Sequence, residues 1–389
     1  MVNNNKTICP LAWNGLHLDL TGKISPCCNF DTEATPKDYN INYFNLMEHP
    51  FIEDVRKKMQ EGELIPNCNK CYRDEEIRGD SLRTITIKNM QTYFEKVLDT
   101  PAIFDNNTPS LKYLDLNFNN ICNLKCRMCN PSYSTSWYVD AKKLGLPIPR
   151  GVIAHNDPLN GVDLKNLAYI KIAGGEPTME QEKIISILER TQIENIGIVI
   201  VTNCTILPNK RLFELLKKCQ RVHWIISIDA LGPLNNFLRK NSNWKEIEKN
   251  LKWYNENFVD IIVHSVISIY NINCFTDLID YIKEKFPKIT HNHAMAETNY
   301  GGDNWMDPCH LPASVKECLL EKNKINEQKY GRDIFYAVEK SLRTSGNFQE
   351  FLKVDEKLNQ IRNEHWKNYN RELYNLISVT EKQQKSLTL

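Results

Sequence analysis

No stretch of the chain approaches the roughly 18 consecutive apolar residues of a membrane-spanning helix, which sets aside a membrane-embedded helical protein. Net charge is equally scarce. The 49 lysines and arginines stand against 48 aspartates and glutamates, leaving +1 over 389 residues. That balance gives no reason to expect a nucleic acid or an anionic membrane surface as an obligate partner. Repeats and low-complexity tracts are missing. The opening Met-Val-Asn-Asn-Asn-Lys is polar and lacks the apolar core of a signal peptide, so a soluble, cytoplasmic protein is expected. The length suits two or three domains.

Cysteine, by contrast, is abundant: 13 residues, of which seven fall in three tight groups. In a reducing compartment such grouping fits metal ligation better than a disulfide framework. The densest group is Cys122-Asn-Leu-Lys-Cys126-Arg-Met-Cys129, spaced C-x3-C-x2-C. It follows the strand-like alternation Tyr113-Leu-Asp-Leu-Asn-Phe, which ends at Asn119-Asn120. Three thiolates on one short loop can bind three irons of a 4Fe–4S cube and leave the fourth iron open to an external ligand. A zinc site, a disulfide with a spare thiol, or no site at all are the alternatives. Zinc needs a fourth ligand nearby, and the next histidine, His155, lies 26 positions beyond Cys129.

From about 110 to 300 the pattern alternates strand and helix. Strands are expected at 113–117, 169–173, 197–202, 222–228, 261–269 and 290–296, with helices at 180–190, 210–219, 244–254 and 275–285. Such alternation predicts a parallel sheet, either an open barrel of six units or a doubly wound sheet. In barrels of this kind the chemistry sits at the C-terminal strand ends. The second strand ends in Gly174-Gly175-Glu176-Pro177, the third in Thr202-Asn203-Cys204, and the fourth in Ser227-Ile-Asp229-Ala230-Leu-Gly, with Arg239 and Trp244 further on. A plain turn explains a glycine pair, and polar strand ends also cap helices.

The three-cysteine loop, followed about 45 residues later by the Gly-Gly-Glu-Pro turn, resembles the radical S-adenosylmethionine (radical SAM) superfamily. The resemblance implies an α/β fold, an open (β/α)6 partial barrel. It implies a 4Fe–4S cluster on Cys122, Cys126 and Cys129 whose open iron chelates SAM, and reductive cleavage to a 5′-deoxyadenosyl radical. By the same resemblance Gly174, Gly175 and Glu176 bind the amino end of SAM. Ser227 and Arg239, in a stretch similar to the SLDG…R…W run of SPASM-type members, are implied to contact SAM, with Asn203 a candidate for the ribose and Asp229 a candidate for either SAM or substrate. Met128 stands where an aromatic residue is common and is expected over the adenine or in the core.

The N-terminal part reads as a metal module. Cys9 and Cys27 are spaced C-x12-G-x4-C about Gly22, and Pro66-Asn-Cys68-Asn-Lys-Cys71 forms a knuckle. Gly22 suits a hairpin turn, and a helix is expected over 51–62. Four such cysteines suit either zinc or an iron–sulfur cluster. The spacing resembles the twitch half of SPASM/twitch auxiliary domains, placed here before the barrel instead of after it. That implies a second 4Fe–4S cluster on Cys9, Cys27, Cys68 and Cys71. Cys28 is expected to be a buried thiol or an alternate ligand.

The expected domains are therefore 1–108 (twitch-like, with a connector helix over 90–98), 109–300 (partial barrel) and 301–389 (a helical C-terminal extension). In the extension, helices are read at 314–324, 332–345 and 348–376, and Lys353-Val-Asp355…Arg362 resembles twitch-protein tails. Asn271, His291, His293, Glu297 and Cys309 are candidates for the substrate side. The resemblance further implies a reductant such as flavodoxin or ferredoxin, and a peptide or protein substrate; a carbohydrate or nucleoside is the alternative. No leader-binding domain is visible ahead of Cys9, and a non-catalytic zinc scaffold is the remote alternative.

Overall fold

The computed structural model describes residues 7–20, 22–35, 45–88, 109–117, 119–149, 159–296 and 304–378. The chain divides into two compact units. One comprises Met1–Asn119, Gly151–Ile200 and Pro208–Val222, the other Asn120–Arg150, Val201–Leu207 and His223–Leu389. Among the described residues there are eight strands, all parallel to their neighbours where pairing is defined except for one N-terminal hairpin. The α/β class is as expected, and the sheet is open, its strand order ending at β2 and β8.

In the first unit the order is β2-β1-β3-β4-β5, with β1 at Gly15–Leu18, β2 at Ile24–Ser25, β3 at Tyr113–Asn117, β4 at Tyr169–Ala173 and β5 at Gly197–Thr202, of which the last two residues are assigned to the second unit. Period-two alternation sorts the faces. Leu114, Leu116, Ile170, Ile172, Ile198 and Ile200 are all buried on one face. Tyr113, Asp115, Tyr169 and Lys171 take the other. The hairpin forms because Gly22 adopts φ +83° and Asp19 accepts from Lys23 N at 2.9 Å. Six strands were expected for the barrel; β1 adds to that sheet by pairing parallel with β3, Leu16 opposite Leu114. Helix Pro50–Glu61 starts with Pro50 in its first turn and stops at Gly62, φ +83°, whose N–H bonds back to Met59 O.

In the second unit β6 (Arg221–Ser227, from His223 on), β7 (Asp260–Ile267) and β8 (Thr290–Met295) are adjacent in that order. β7 stops two residues short of the expected end. Asn271 Oδ1 accepts from Ser268 N at 2.8 Å and closes a turn there. Helices Gly232–Leu238, Trp244–Asn257 and Phe275–Lys285 lead into Ala313–Tyr330, Arg332–Arg343 and Phe348–Arg362. The helix expected to run to 376 ends at Arg362, because Asn363 takes the left-handed conformation (φ 50°) that short polar side chains tolerate. Phe237, Tyr270, Phe335, Phe351 and Trp366 share one apolar cluster with Trp137, so the C-terminal helices complete the core of this unit. The connector helix expected at 90–98 lies outside the described residues. Among those described, no helix is long and apolar enough to cross a membrane.

Candidate active site

The second unit holds the three-cysteine loop, and several of that loop's backbone groups are tied down. Ser136 Oγ donates to Cys122 O at 2.7 Å, Ser134 Oγ to Leu124 O at 2.6 Å, and Trp137 Nε1 to Cys126 O at 2.9 Å. Lys125 N and Arg127 N donate to Lys240 O and Leu238 O, at the end of helix Gly232–Leu238. With its carbonyls engaged by side chains, the loop is fixed while its sulfurs stay available. Sequence reading missed these supports, although the Ser134-Thr-Ser-Trp137 run directly after the loop signals them. Trp137→Phe is expected to cost about 1–3 kcal/mol by stranding the buried Cys126 carbonyl, measurable as a lower urea midpoint.

The side chains flanking Cys126 are anchored on the C-terminal segment. Arg127 is fully buried; it meets Asp355 Oδ1 at 3.1 Å, Asn359 Oδ1 at 2.6 Å, Glu364 Oε1 at 3.0 Å and Tyr270 Oη at 3.2 Å. Its guanidinium also stacks 3.8 Å above the Phe237 ring. Lys125 pairs with Asp140 at 2.9 Å, Asp140 also binds Arg362 Nε at 2.8 Å, and Arg362 lies over the Trp137 ring. Asp355 and Arg362, far along the chain, thus hold the cysteine loop in place.

Around the sulfurs sit several of the residues expected from sequence. Arg239 Nη2 donates to Asp229 Oδ1 at 2.9 Å, and Nη1 lies 4.0 Å from Cys126 Sγ. Nε approaches Asp229 Oδ2 at 2.7 Å as an ion-pair contact, without the alignment of a hydrogen bond. Burial works against the Arg239 charge, but Asp229 and Cys126 outweigh it and its pKa lies above the ordinary value. Asp229 also accepts from Val266 N at 2.9 Å, so its carboxylate orients Arg239 and ties β6 to β7. Asn203 Nδ2 donates to Asn123 Oδ1 at 2.9 Å and reaches toward Cys122 Sγ at 3.9 Å, and Asn203 Oδ1 accepts from Thr205. Leu124 N also points at Cys122 Sγ, at 3.4 Å. Burial pushes the Cys126 thiol up to about 12, with Arg239 pulling down and Cys122 pushing up. Cys129 is raised by burial and then by its two partner thiols. Ser227 is half-buried at the end of β6, opposite His264 of β7. Sequence reading did not single out His264, whose pKa is lowered by burial with Asp229 and Arg239 close by. Met128 packs against the apolar cluster.

The Gly-Gly-Glu-Pro turn belongs to the first unit. Gly174 has φ +122°, which excludes a side chain, and Gly175 N donates to Asn119 O at 2.9 Å. Glu176 is buried and accepts from Thr178 N at 3.1 Å and Thr178 Oγ1 at 2.7 Å, so it shapes the turn that follows β4.

Residues 116–282 match the family model described as Radical SAM superfamily. This stretch is a radical SAM domain. No curated protein matches the chain. Among solved structures it is similar to native anSMEcpe with bound AdoMet, at 16% identity and a TM-score of 0.38 over 57% of this chain and 62% of that one. It is also similar to SuiB of Streptococcus suis bound to S-adenosylmethionine, at 18% identity and a TM-score of 0.35 over 76% and 65% of the two chains. The chain therefore spans less than two-thirds of either structure.

Beside the radical SAM domain, the N-terminal cysteines come together within the first unit. The Cys27 thiol is raised by burial and then by Cys9, Cys28 and Cys68; burial also raises Cys68, whose neighbours are Cys9 and Cys71. Asp31 N donates to Asn67 O at 2.9 Å and Asn67 Nδ2 to Asp31 O at 2.6 Å, which joins the Cys27 turn to the Cys68–Cys71 knuckle. Asn29 Nδ2 points at Cys71 Sγ at 3.7 Å. Arg83, held by Glu75 and donating to Ile8 O at 3.1 Å, supplies a buried cation beside Cys9 and Cys68. Cys28 faces away, toward Asp115 and Lys171. It is solvent-accessible and not the buried thiol expected, yet the protein crowded round it pushes its pKa up to about 12. Among the described residues no three or more His, Cys, Asp or Glu side chains are close enough to hold a single metal ion.

The remaining substrate-side candidates that are described each have defined contacts. His291 meets Ser265 Oγ at 2.9 Å, and His293 packs on Phe275. Asn271 is buried, donating to Asp229 O at 2.7 Å and Val266 O at 3.0 Å. Cys309 lies in the turn Pro308–His310 against the Gly346 backbone and Lys316. Glu297 lies outside the described residues.

Proposed function

We propose that this protein is a radical SAM enzyme that modifies a peptide or protein. The observation that carries the radical SAM reading is the immobilised loop. Three thiols are presented on a backbone held by Ser134, Ser136 and Trp137, with the N–H groups of Leu124 and Asn203 and the guanidinium of Arg239 directed at two of the sulfurs. Donors of this kind stabilise thiolate charge and suit a cluster whose sulfurs accept hydrogen bonds. When bound there, a 4Fe–4S cluster supplies the electron that cleaves SAM to methionine and a 5′-deoxyadenosyl radical. The chain's own contribution is orientation and charge. Arg239, fixed by Asp229, places a cation at Cys126, and Asn203 holds the Cys122 side.

Cys9, Cys27, Cys68 and Cys71 form the proposed auxiliary site. Four thiols with Arg83 and Asn29 beside them suit a second 4Fe–4S cluster with no open iron, which favours electron transfer over substrate ligation. An electron-carrier protein such as flavodoxin or ferredoxin supplies the electron. The peptide substrate is carried over from the family resemblance. The test is anaerobic reconstitution followed by SAM and dithionite. The wild type is expected to release 5′-deoxyadenosine and Cys126→Ala to release none. Release by neither protein, from preparations that hold zinc, overturns the reading.

A further inference from the structure

The four N-terminal cysteines gather negative charge where water screens it poorly. Cys9, Cys27 and Cys71 are buried and Cys68 is half-buried. Within the same unit Arg83 keeps only 8% of its side chain exposed, and its partner Glu75 keeps 21%. Arg83 Nε donates to Glu75 Oε1 at 2.9 Å and Nη2 to Glu75 Oε2, while Nη1 donates to Ile8 O at 3.1 Å, in the peptide that leads into Cys9. Ser81 Oγ donates to Glu75 Oε1 at 2.6 Å and steadies the carboxylate from another side. Glu75 stands one helical turn after Cys71 on helix Asn69–Arg78. The pair thus reaches from the backbone beside Cys9 to the helix that bears Cys71. Burial pushes the Cys9 thiol up to about 12 and raises Cys68 as well, and Arg83 opposes the rise at both.

An electron added to a site with four thiolate ligands adds negative charge, so nearby charges and hydrogen bonds set its potential. Arg83 favours the reduced form and Glu75 opposes it. Arg83 dominates, because it is the more buried of the two and its field is less screened by solvent. Asn29 Nδ2, which points at Cys71 Sγ at 3.7 Å, works in the same direction as Arg83.

We propose that the Arg83–Glu75 pair sets the reduction potential of the N-terminal four-cysteine site, raising it so that the site accepts an electron. This role rests on the auxiliary-cluster reading above; iron content tests that reading, and the potential tests the role.

The experiment is a redox titration followed by electron paramagnetic resonance. It uses the reconstituted full-length chain with Cys122, Cys126 and Cys129 replaced by alanine, so that the N-terminal site is read by itself. Arg83→Gln is expected to shift the one-electron equilibrium about tenfold toward the oxidised form, a potential lower by about 59 mV. Arg83→Lys keeps the charge and should recover most of that shift. Glu75→Gln keeps an oxygen for Arg83 and removes the anion, so it should raise the potential, by about threefold in the same equilibrium. A pair that merely fastened the chain would loosen the module whichever member was lost, and both variants would then move the same way. Shifts of one sign in Arg83→Gln and Glu75→Gln therefore overturn the role. So does an unchanged potential in Glu75→Gln, which decides the matter if Arg83→Gln fails to assemble. About four irons per chain with potentials indifferent to both substitutions leave the cluster and remove the role. No iron in the parent chain removes the cluster reading and the role with it.

Discussion

Arg127→Met is expected to lower the unfolding free energy by about 3–5 kcal/mol, the usual cost of removing one partner from a buried ion pair. The arginine is fully buried between Asp355 and Glu364, and it also bonds Asn359 and stacks on Phe237. Glu364 keeps Lys240 at 2.6 Å, so Asp355 is the group left without a cation. Burial already raises the Asp355 pKa, and Arg127 is the main influence holding it down. In the variant the folded-state pKa rises further above the unfolded one. The folded chain then binds more protons than the unfolded chain, stability falls as pH rises, and the deficit shrinks on acidification from about pH 8 to about pH 5. Urea titrations across that range check both magnitude and sign. Adding Asp355→Leu should recover part of the loss. A deficit that is small and independent of pH would mean that Arg127 does not hold the loop.

The second large effect is expected at Arg239→Leu. The side chain is the cation beside Cys126 and the partner of fully buried Asp229. Its removal leaves a buried carboxylate uncompensated next to the proposed cluster. Losing one pre-oriented charge donor typically costs about 10²–10³ in rate, so 5′-deoxyadenosine release should fall by about that factor. Asp229→Asn is the companion variant. It retains the shape and the acceptor for Val266 N but frees Arg239 to move, so a smaller loss is expected. Single-turnover release under dithionite gives the rates, and unchanged release in Arg239→Leu would remove the residue from the site.

Much of the barrel is legible in the sequence, because strands such as Tyr113–Asn117 and Gly197–Thr202 carry their own apolar or alternating signal and lie between amphipathic helices. The parallel partner of Gly15–Leu18 is not: four residues find β3 almost a hundred positions away, and no local pattern records that distance. The site divides the same way. Cysteine spacing marks the proposed ligands Cys122, Cys126 and Cys129, which lie within eight residues of one another. Arg127, Asp140 and Asp355 act through pairs formed over long separations, and each alone reads as an ordinary surface charge.

Iron and acid-labile sulfide per chain after anaerobic reconstitution test the central claim most directly, measured in the wild type and in a variant with Cys122, Cys126 and Cys129 all replaced by alanine. Two independent 4Fe–4S clusters predict about eight irons in the wild type and about four in the variant. About four and none would leave the N-terminal thiols without a cluster. Little iron in either protein, with zinc bound in its place, would contradict the account.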